Sequence, residues 1–287
     1  MKTMFKNAGL DPERPPRTIQ ELDAFAEKLT LRDKDGNITQ IGFMPMEPGW
    51  WNWSWGYFFG GRLWDGGERI TANAPENIQA FGWIESYTKK YGVAYLNSFR
   101  GGFGNFDSPQ NGFLAGKVAM EIQGVWMYNF IDKHAPGLQW GAAPFPTVRR
   151  DMPPTTVAEA DILAIPNGAA HPREAFEFIK FVNSQHGMEL LCMGQRKFTP
   201  LRKVSREFLA RHPNPYIKVF IDLAKSPGAF TDPPIGIWNE YSDEVNSAIQ
   251  KVWLQQGTPE GILGDVQART QKKWDREVRR MKRLGEM

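Results

Sequence analysis

Trp50, Trp51, Trp53 and Trp55 fall within six residues, and Trp64, Trp126, Trp140 and Trp238 stand at the boundaries of expected elements. An indole face suits the C–H side of a sugar ring, because it offers flat apolar area while the ring hydroxyls stay free to hydrogen-bond. A single tryptophan more often fills core. Four in six residues cannot all face one core, in strand or in helix, so part of the set is expected to line a cleft or surface patch. Glu159 and Asp161 form the second candidate group. They alternate within the strand-like run 157–165, so in a strand both carboxylates share one face just ahead of Ile162-Leu163-Ala164-Ile165. Three readings stand open: acceptors for ligand hydroxyls, a general acid–base pair flanking a glycosidic bond, or a solvated strand start. Glu47, Asp65 and Asp107 lie in Gly- or aromatic-rich loops and add further acceptors.

Other chemistries find little support. His134, His171, His186 and His212 are dispersed, and none pairs with another at i, i+4 beside an acid, so no metal site is expected. The lone Cys192 sits in the apolar stretch Leu190-Leu191-Cys192-Met193, which reads as an inert buried thiol and excludes a disulfide framework. There is no G-x-S-x-G elbow, and Gly60-Gly61, Gly66-Gly67 and Gly101-Gly102-Phe103-Gly104 lack the strand-to-helix setting of a phosphate loop. No cofactor is expected.

The 287 residues leave room for one large domain or two small ones, and an aromatic content of 13% excludes a disordered chain. Net charge is +3, yet residues 269–283 hold eight basic side chains against Asp275 and Glu277, so the remainder sums to −3 and a general nucleic-acid surface is not expected. Val266, Trp274, Val278 and Met281 give that basic stretch one apolar stripe, which reads as a solvated C-terminal helix whose cations complement its dipole. A membrane or RNA contact is the alternative. No window has the 18 apolar residues of a membrane span, and residues 1–12 lack the apolar core of a signal peptide.

The elements that must position these groups follow from periodicity. Thr18 caps a helix with Glu21 three residues on and Leu22, Phe25, Ala26 and Leu29 at helical spacing. A turn at 33–37 leads to a strand at 38–43, and helices are predicted over 75–91 and 126–133. Ser108-Pro109 predicts a short helix stopping at Gly116, followed by strands at 118–122 and 140–143. From Pro172 the pattern is helical: 172–182, 186–193 with Gly194 as its stop, 205–211, 215–225, 238–256 and 259–284. Short strands alternating with helices, then helices to the end, make an α/β protein with a helix-rich second half.

Several segments, taken in order, resemble the extracellular solute-binding proteins of ABC importers, the maltose-binding-like sugar family. They are Met4-Phe5-Lys6-Asn7-Ala8-Gly9-Leu10-Asp11-Pro12 through Glu21-Leu22, Gly112-Phe113-Leu114-Ala115-Gly116-Lys117-Val118-Ala119-Met120 with Gly124-Val125-Trp126, Gly141-Ala142-Ala143-Pro144-Phe145-Pro146, and Ala175-Phe176-Glu177-Phe178-Ile179-Lys180-Phe181 followed by Phe198-Thr199-Pro200-Leu201. The resemblance implies a periplasmic-binding-protein type II-like fold and a non-catalytic sugar- or polyol-binding protein, monomeric, serving an ABC permease. It implies sugar stacking on Trp126, on Trp50 or Trp51 after Glu47-Pro48, and on Trp238, with Trp53 and Glu47 beside them. Where many relatives carry Gly-Gly, this chain has Glu159-Ala160-Asp161, which implies a carboxylate contact in place of a backbone one.

Set against such relatives, a signal peptide and most of a first lobe, about one ordinary domain, would precede Met1. The expectation is then a discontinuous C-terminal lobe over 8–156 and 205–287, with 157–204 returning to the first lobe and leaving Ile162, Leu163, Ile165, Phe176, Ile179, Phe181 and Val182 short of partners. The parent is expected in the periplasm or at the cell surface. A carbohydrate-active hydrolase using Glu159 and Asp161, or a truncated reading frame without independent function, are the alternatives.

Overall fold

The computed structural model describes residues 1–286. Helices dominate: α1 (Lys2–Asn7), α2 (Ile19–Leu29), α3 (Trp55–Phe58, entered through a 3₁₀ turn at Asn52–Ser54), α4 (Pro75–Tyr91), α5 (Val93–Gly101), α6 (Met127–His134), α7 (Pro172–Val182), α8 (Gln185–Gln195), α9 (Arg206–Arg211), α10 (Ile217–Ala224), α11 (Trp238–Trp253) and α12 (Pro259–Leu284). Two small two-stranded sheets accompany them. In one, β1 (Leu31–Arg32) runs antiparallel to β2 (Ile38–Gln40); in the other, β3 (Thr155–Val157) runs parallel to β4 (Gly228–Phe230).

The helix start signals hold. Thr18 Oγ1 accepts from the Glu21 amide at 3.1 Å, while Glu21 Oε2 accepts from the Arg17 amide, one residue ahead of the cap. Pro75 and Pro172 each occupy the first turn of their helices, where a missing amide proton costs nothing. The main core forms where α4, α11 and α12 pack together. Tyr241, Val245, Ile249 and Val252 of α11 meet Leu263, Val266, Trp274 and Val278 of α12, and Phe81 and Ile84 of α4 close the third side. The cationic face of α12 turns outward and pairs with acids of α11: Arg269 with Glu244 at 2.7 Å and Lys273 with Glu240 at 2.6 Å. Among the described residues no helix is long and apolar enough to cross a membrane.

The strands are shorter than their patterns predict. Beyond β2, Ile41 bridges Val118, and the amides of Ala119 and Met120 donate to the carbonyls of Ile41 and Gly42, so 118–120 is extended but pairs only briefly. Residues 140–143 form no strand; the Tyr216 hydroxyl takes the Trp140 carbonyl instead. The predicted helix after Pro109 is a series of turns. Asn111 Oδ1 accepts from the amides of Phe113 and Leu114, and the Gly112 carbonyl takes those of Lys117 and Val118, which diverts the donors a helix needs. Gly194 does not stop α8. The left-handed residue is Arg196, at φ 56°.

Residues 172–208 carry a satellite core of Val182, Met188, Cys192 and Phe208, so Cys192 is buried as expected. Ile162 (85% exposed), Leu163, Phe176 and Phe181 do lie exposed, whereas Val182 is buried and Ile165 and Ile179 are half-buried. A Cβ on Gly42 would stand 2.1 Å from the Ala26 carbonyl oxygen. Backbone cannot yield as a side chain can, so Gly42→Ala is expected to destabilise the fold by about 3 kcal/mol, measurable by urea unfolding.

Candidate solute-binding site

The tryptophan-rich run divides by burial. Trp55 is core, 2% exposed, with its ring 5.4 Å from Trp83 and 5.6 Å from Phe145. Trp53 is also buried, edge-on to Trp238 at 5.1 Å, and beside them Tyr57 and Phe230 stack at 3.9 Å and 4°. Trp50 is 39% exposed and Trp51 half-buried. This split is what four indoles in six residues require once a 3₁₀ turn and α3 rotate successive side chains to different directions.

Trp126 joins Trp50 and Trp51 from a segment more than seventy residues away. Its ring centroid lies 6.1 Å from Trp50 and 5.6 Å from Trp51, at tilts of 35° and 39°, and Phe106 caps Trp50 edge-on at 4.7 Å. Trp126 stands at the N-terminal boundary of α6, and its six-membered ring folds back over Gly124. A Cβ at 124 would lie 2.3–2.5 Å from ring carbons, so only glycine lets the indole take this position. Sequence reasoning thus identified three of the four aromatics. Phe106, in a Gly/Asn loop without periodicity, offered no signal.

The carboxylates are arranged otherwise than expected. Glu159 and Asp161 do not share the face of a strand, because β3 ends at Val157. Its partner β4 ends at Phe230, and Asp232-Pro233-Pro234 follows, so two prolines remove the donors that would extend the ladder. Both carboxylates are exposed. Partial desolvation, then the neighbouring Asp232 charge, raises the Glu159 pKa. Asp161 reaches Lys197 at 3.7 Å. Glu47 is buried, and its Oε2 accepts from Arg100 Nε at 2.8 Å while Arg100 Nη2 donates to the Pro48 carbonyl at 3.1 Å. This ion pair anchors the turn that presents Trp50. Asp65 instead ties down its own loop, accepting from the amides of Gly67 and Arg69. Among the described residues, no group of three or more His, Cys, Asp or Glu side chains is placed to hold a metal.

A family model described as bacterial extracellular solute-binding protein matches residues 1–215. The chain belongs to this family. A Brucella abortus (strain 2308) protein named only as a binding protein is 26% identical over 272 residues, covering 93% of this chain and 63% of its own length. The sn-glycerol-3-phosphate-binding periplasmic protein UgpB of Escherichia coli (strain K12) is 25% identical, with 91% and 61% covered. The chain therefore spans under two thirds of the length of the curated relatives it matches. Among solved structures, CpMnBP1 with mannotriose bound superposes with a TM-score of 0.80 at 30% identity, covering 93% of this chain and 68% of that one. UgpB from Mycobacterium tuberculosis in complex with glycerophosphocholine gives 0.68 at 20%, covering 96% and 68%. The fold is that of the periplasmic-binding-protein type II sugar-binding proteins.

Two polar features of the site carried no sequence signal. Lys197 Nζ stands over the Trp126 ring, 5.8 Å from its centroid. Glu121, five residues before Trp126, has both carboxylate oxygens buried and without a hydrogen-bond partner, as is Gln123 Nε2. Burial first, and the Glu47 charge second, push the Glu121 pKa up to about 8, against a smaller opposing pull from the Met1 ammonium.

Two outcomes follow. Gly124→Ala is expected to drive Trp126 off Trp51 and cost about 1–3 kcal/mol, read as altered near-ultraviolet circular dichroism and a lowered Tm. Between the unfolded carboxyl value of about 4.3 and about 8, the native state holds a proton on Glu121 that the unfolded chain has released. The unfolded state then binds fewer protons and stability falls as pH rises. Relative to Glu121→Gln, the wild type is expected to lose on the order of 1.4 kcal/mol per pH unit within that window, measured by denaturant titration at several pH values.

Proposed function

We propose that this chain is the ligand-receiving part of a non-catalytic receptor for a saccharide or related polyol, delivering it to the transmembrane subunits of an ABC-type importer in the periplasm or at the cell surface. The observation that carries this reading is the convergence of Trp50, Trp51 and Trp126 from two distant segments into one partly exposed aromatic cluster. Leaving indole faces accessible to water is costly unless something apolar on one side and hydroxylated on the other is to rest there. Trp53 and Trp238 form a second aromatic wall, with Glu159 close enough to Asp232 to feel its charge. The mannotriose in its 30%-identical structural relative supports an oligosaccharide, and the glycerol phosphate of the UgpB relatives supports a smaller polyol.

We place 8–156 and 205–287 in one lobe and 157–204 in a second. Supporting this division, Val182, Met188 and Cys192 of 157–204 form a satellite core that shares no buried residue with the main core, joined from just past the boundary by Phe208. Ligand would close such lobes about a hinge, its differential affinity for the closed state supplying the drive.

The test is calorimetry with mannobiose, mannotriose, glycerol 3-phosphate and glycerophosphocholine. Binding of at least one saccharide is expected, weakened about tenfold in Trp126→Ala, which corresponds to loss of about 1.4 kcal/mol of stacking. Mannotriose recovered intact after prolonged incubation is expected of a receptor. Hydrolysis abolished by Glu159→Gln would establish an enzyme instead.

A further inference from the structure

Lys197 has an anchored stem and a loosely held head. Its amide donates to the Cys192 carbonyl at 3.0 Å, closing the end of α8 behind the left-handed Arg196. Its carbonyl faces His212 Nε2 at 3.2 Å, and because His212 Nδ1 accepts from the Asn214 amide, Nε2 carries the proton and donates. Desolvation keeps His212 neutral, lowering its pKa and preserving that arrangement. The ammonium, in contrast, has only Asp161 at 3.7 Å, a carboxylate whose side chain is 96% exposed, and the Trp126 ring. An exposed pair at that separation is weak and readily exchanged.

The surroundings place this head across a polar seam. The end of α8 meets the first turns of α6 through Arg196 paired with Asp132 and set over the Tyr128 ring at 5.4 Å, and through Asn129 Nδ2 donating to the Gln195 carbonyl at 3.1 Å. The buried cores on either side share no residue. Lys197 and Trp126 therefore face each other across a contact made of charges, amides and ring faces, which solvates well when opened. A ring resting on Trp126 at the usual van der Waals spacing of about 3.5–4.0 Å takes up most of the 5.8 Å between the indole centroid and the ammonium, which must swing aside to admit it. Its oxygens then come within reach of Nζ after a small rotation of a flexible four-carbon stem.

We propose that Lys197 is a ligand-contacting residue that sets affinity: its ammonium leaves Asp161 and donates to oxygens of a saccharide seated on Trp126. Asp161 is a placeholder for those oxygens, and its own loss does not weaken binding. The inference rests on the saccharide-receptor reading above and assigns the cation that reads the sugar.

Calorimetry on the full chain with mannobiose and mannotriose tests it in four proteins: wild type, Lys197→Met, Lys197→Arg and Asp161→Asn, each checked for unchanged Tm. Lys197→Met keeps the stem's length and removes only the donor. Its affinity is expected to fall about tenfold or more, as for loss of a charged hydrogen bond. Lys197→Arg is expected to stay within about threefold of wild type, and Asp161→Asn to bind as tightly or up to a few-fold tighter. Raising sodium chloride, which releases the ammonium from Asp161, is expected to leave wild-type binding unweakened. Lys197→Met within twofold of a saccharide-binding wild type overturns this inference and leaves the receptor reading standing. Asp161→Asn as weak as Lys197→Met also overturns it, assigning the contact to the carboxylate. A wild type that binds neither mannoside but takes glycerol 3-phosphate or glycerophosphocholine overturns this inference and leaves the polyol form of the receptor reading standing, whereas one that binds none of the four ligands removes both.

Discussion

The tryptophan cluster depends on how the stretch just after it is pinned to the core. Tyr241 of α11 is wholly buried, and its hydroxyl donates to the Leu63 carbonyl at 2.8 Å, joining positions 178 residues apart. The Asn77 amide of α4 donates to the carbonyls of Arg62 and Thr71 on the same loop, while Trp55 is packed among Phe43, Trp83 and Phe145. A buried hydroxyl or amide without its partner is expensive, so these bonds hold the loop to a single path. With the far side of the 50–63 run fixed, Trp50 and Trp51 have no core left to enter and are presented outward. At the near side the half-buried Glu47–Arg100 pair fixes the turn at Pro48. The aromatic platform is thus the exposed end of a rigidly held segment.

The charged groups sort by what they face. Glu47 is matched by Arg100 and serves the scaffold. Glu121 is buried without a hydrogen bond, and its raised pKa records that a charge there would go uncompensated, so the carboxyl is held protonated. Lys197, Arg196 and Asp132 lie along the seam between α6 and α8, where exposed charges can trade partners with water or ligand at little cost. On the two-lobe reading proposed above, a seam of this composition would hold the lobes in register without welding them.

Much of this was legible in the amino-acid order. The helices at 75–91, 172–182 and 259–284 follow the pattern of apolar spacing, an N1 proline and an acidic first turn, because those signals are local. The aromatic set was legible from density alone. The strands were legible only in part: β2 falls within the predicted 38–43, but a strand exists only with a neighbour, and 140–143 and 158–165 have suitable residues without a ladder to join. Phe106, Lys197 and Glu121 escaped for a related reason. Each matters through a partner distant in sequence, and single residues in irregular segments carry no periodic signal.

What the sequence determined by itself was the class of chemistry: tryptophans at a density that one core cannot absorb, no nucleophile or metal constellation, and a basic C-terminal helix with one apolar stripe. The tertiary structure decided which tryptophans are buried and which stay partly exposed. It moved Glu159 and Asp161 off a strand and set a lysine over Trp126. The physical reason is that composition and periodicity bound how much apolar surface must be buried. Only the closing of distant segments on one another, governed by sterics such as those at Gly124, selects which side chains remain to meet a ligand.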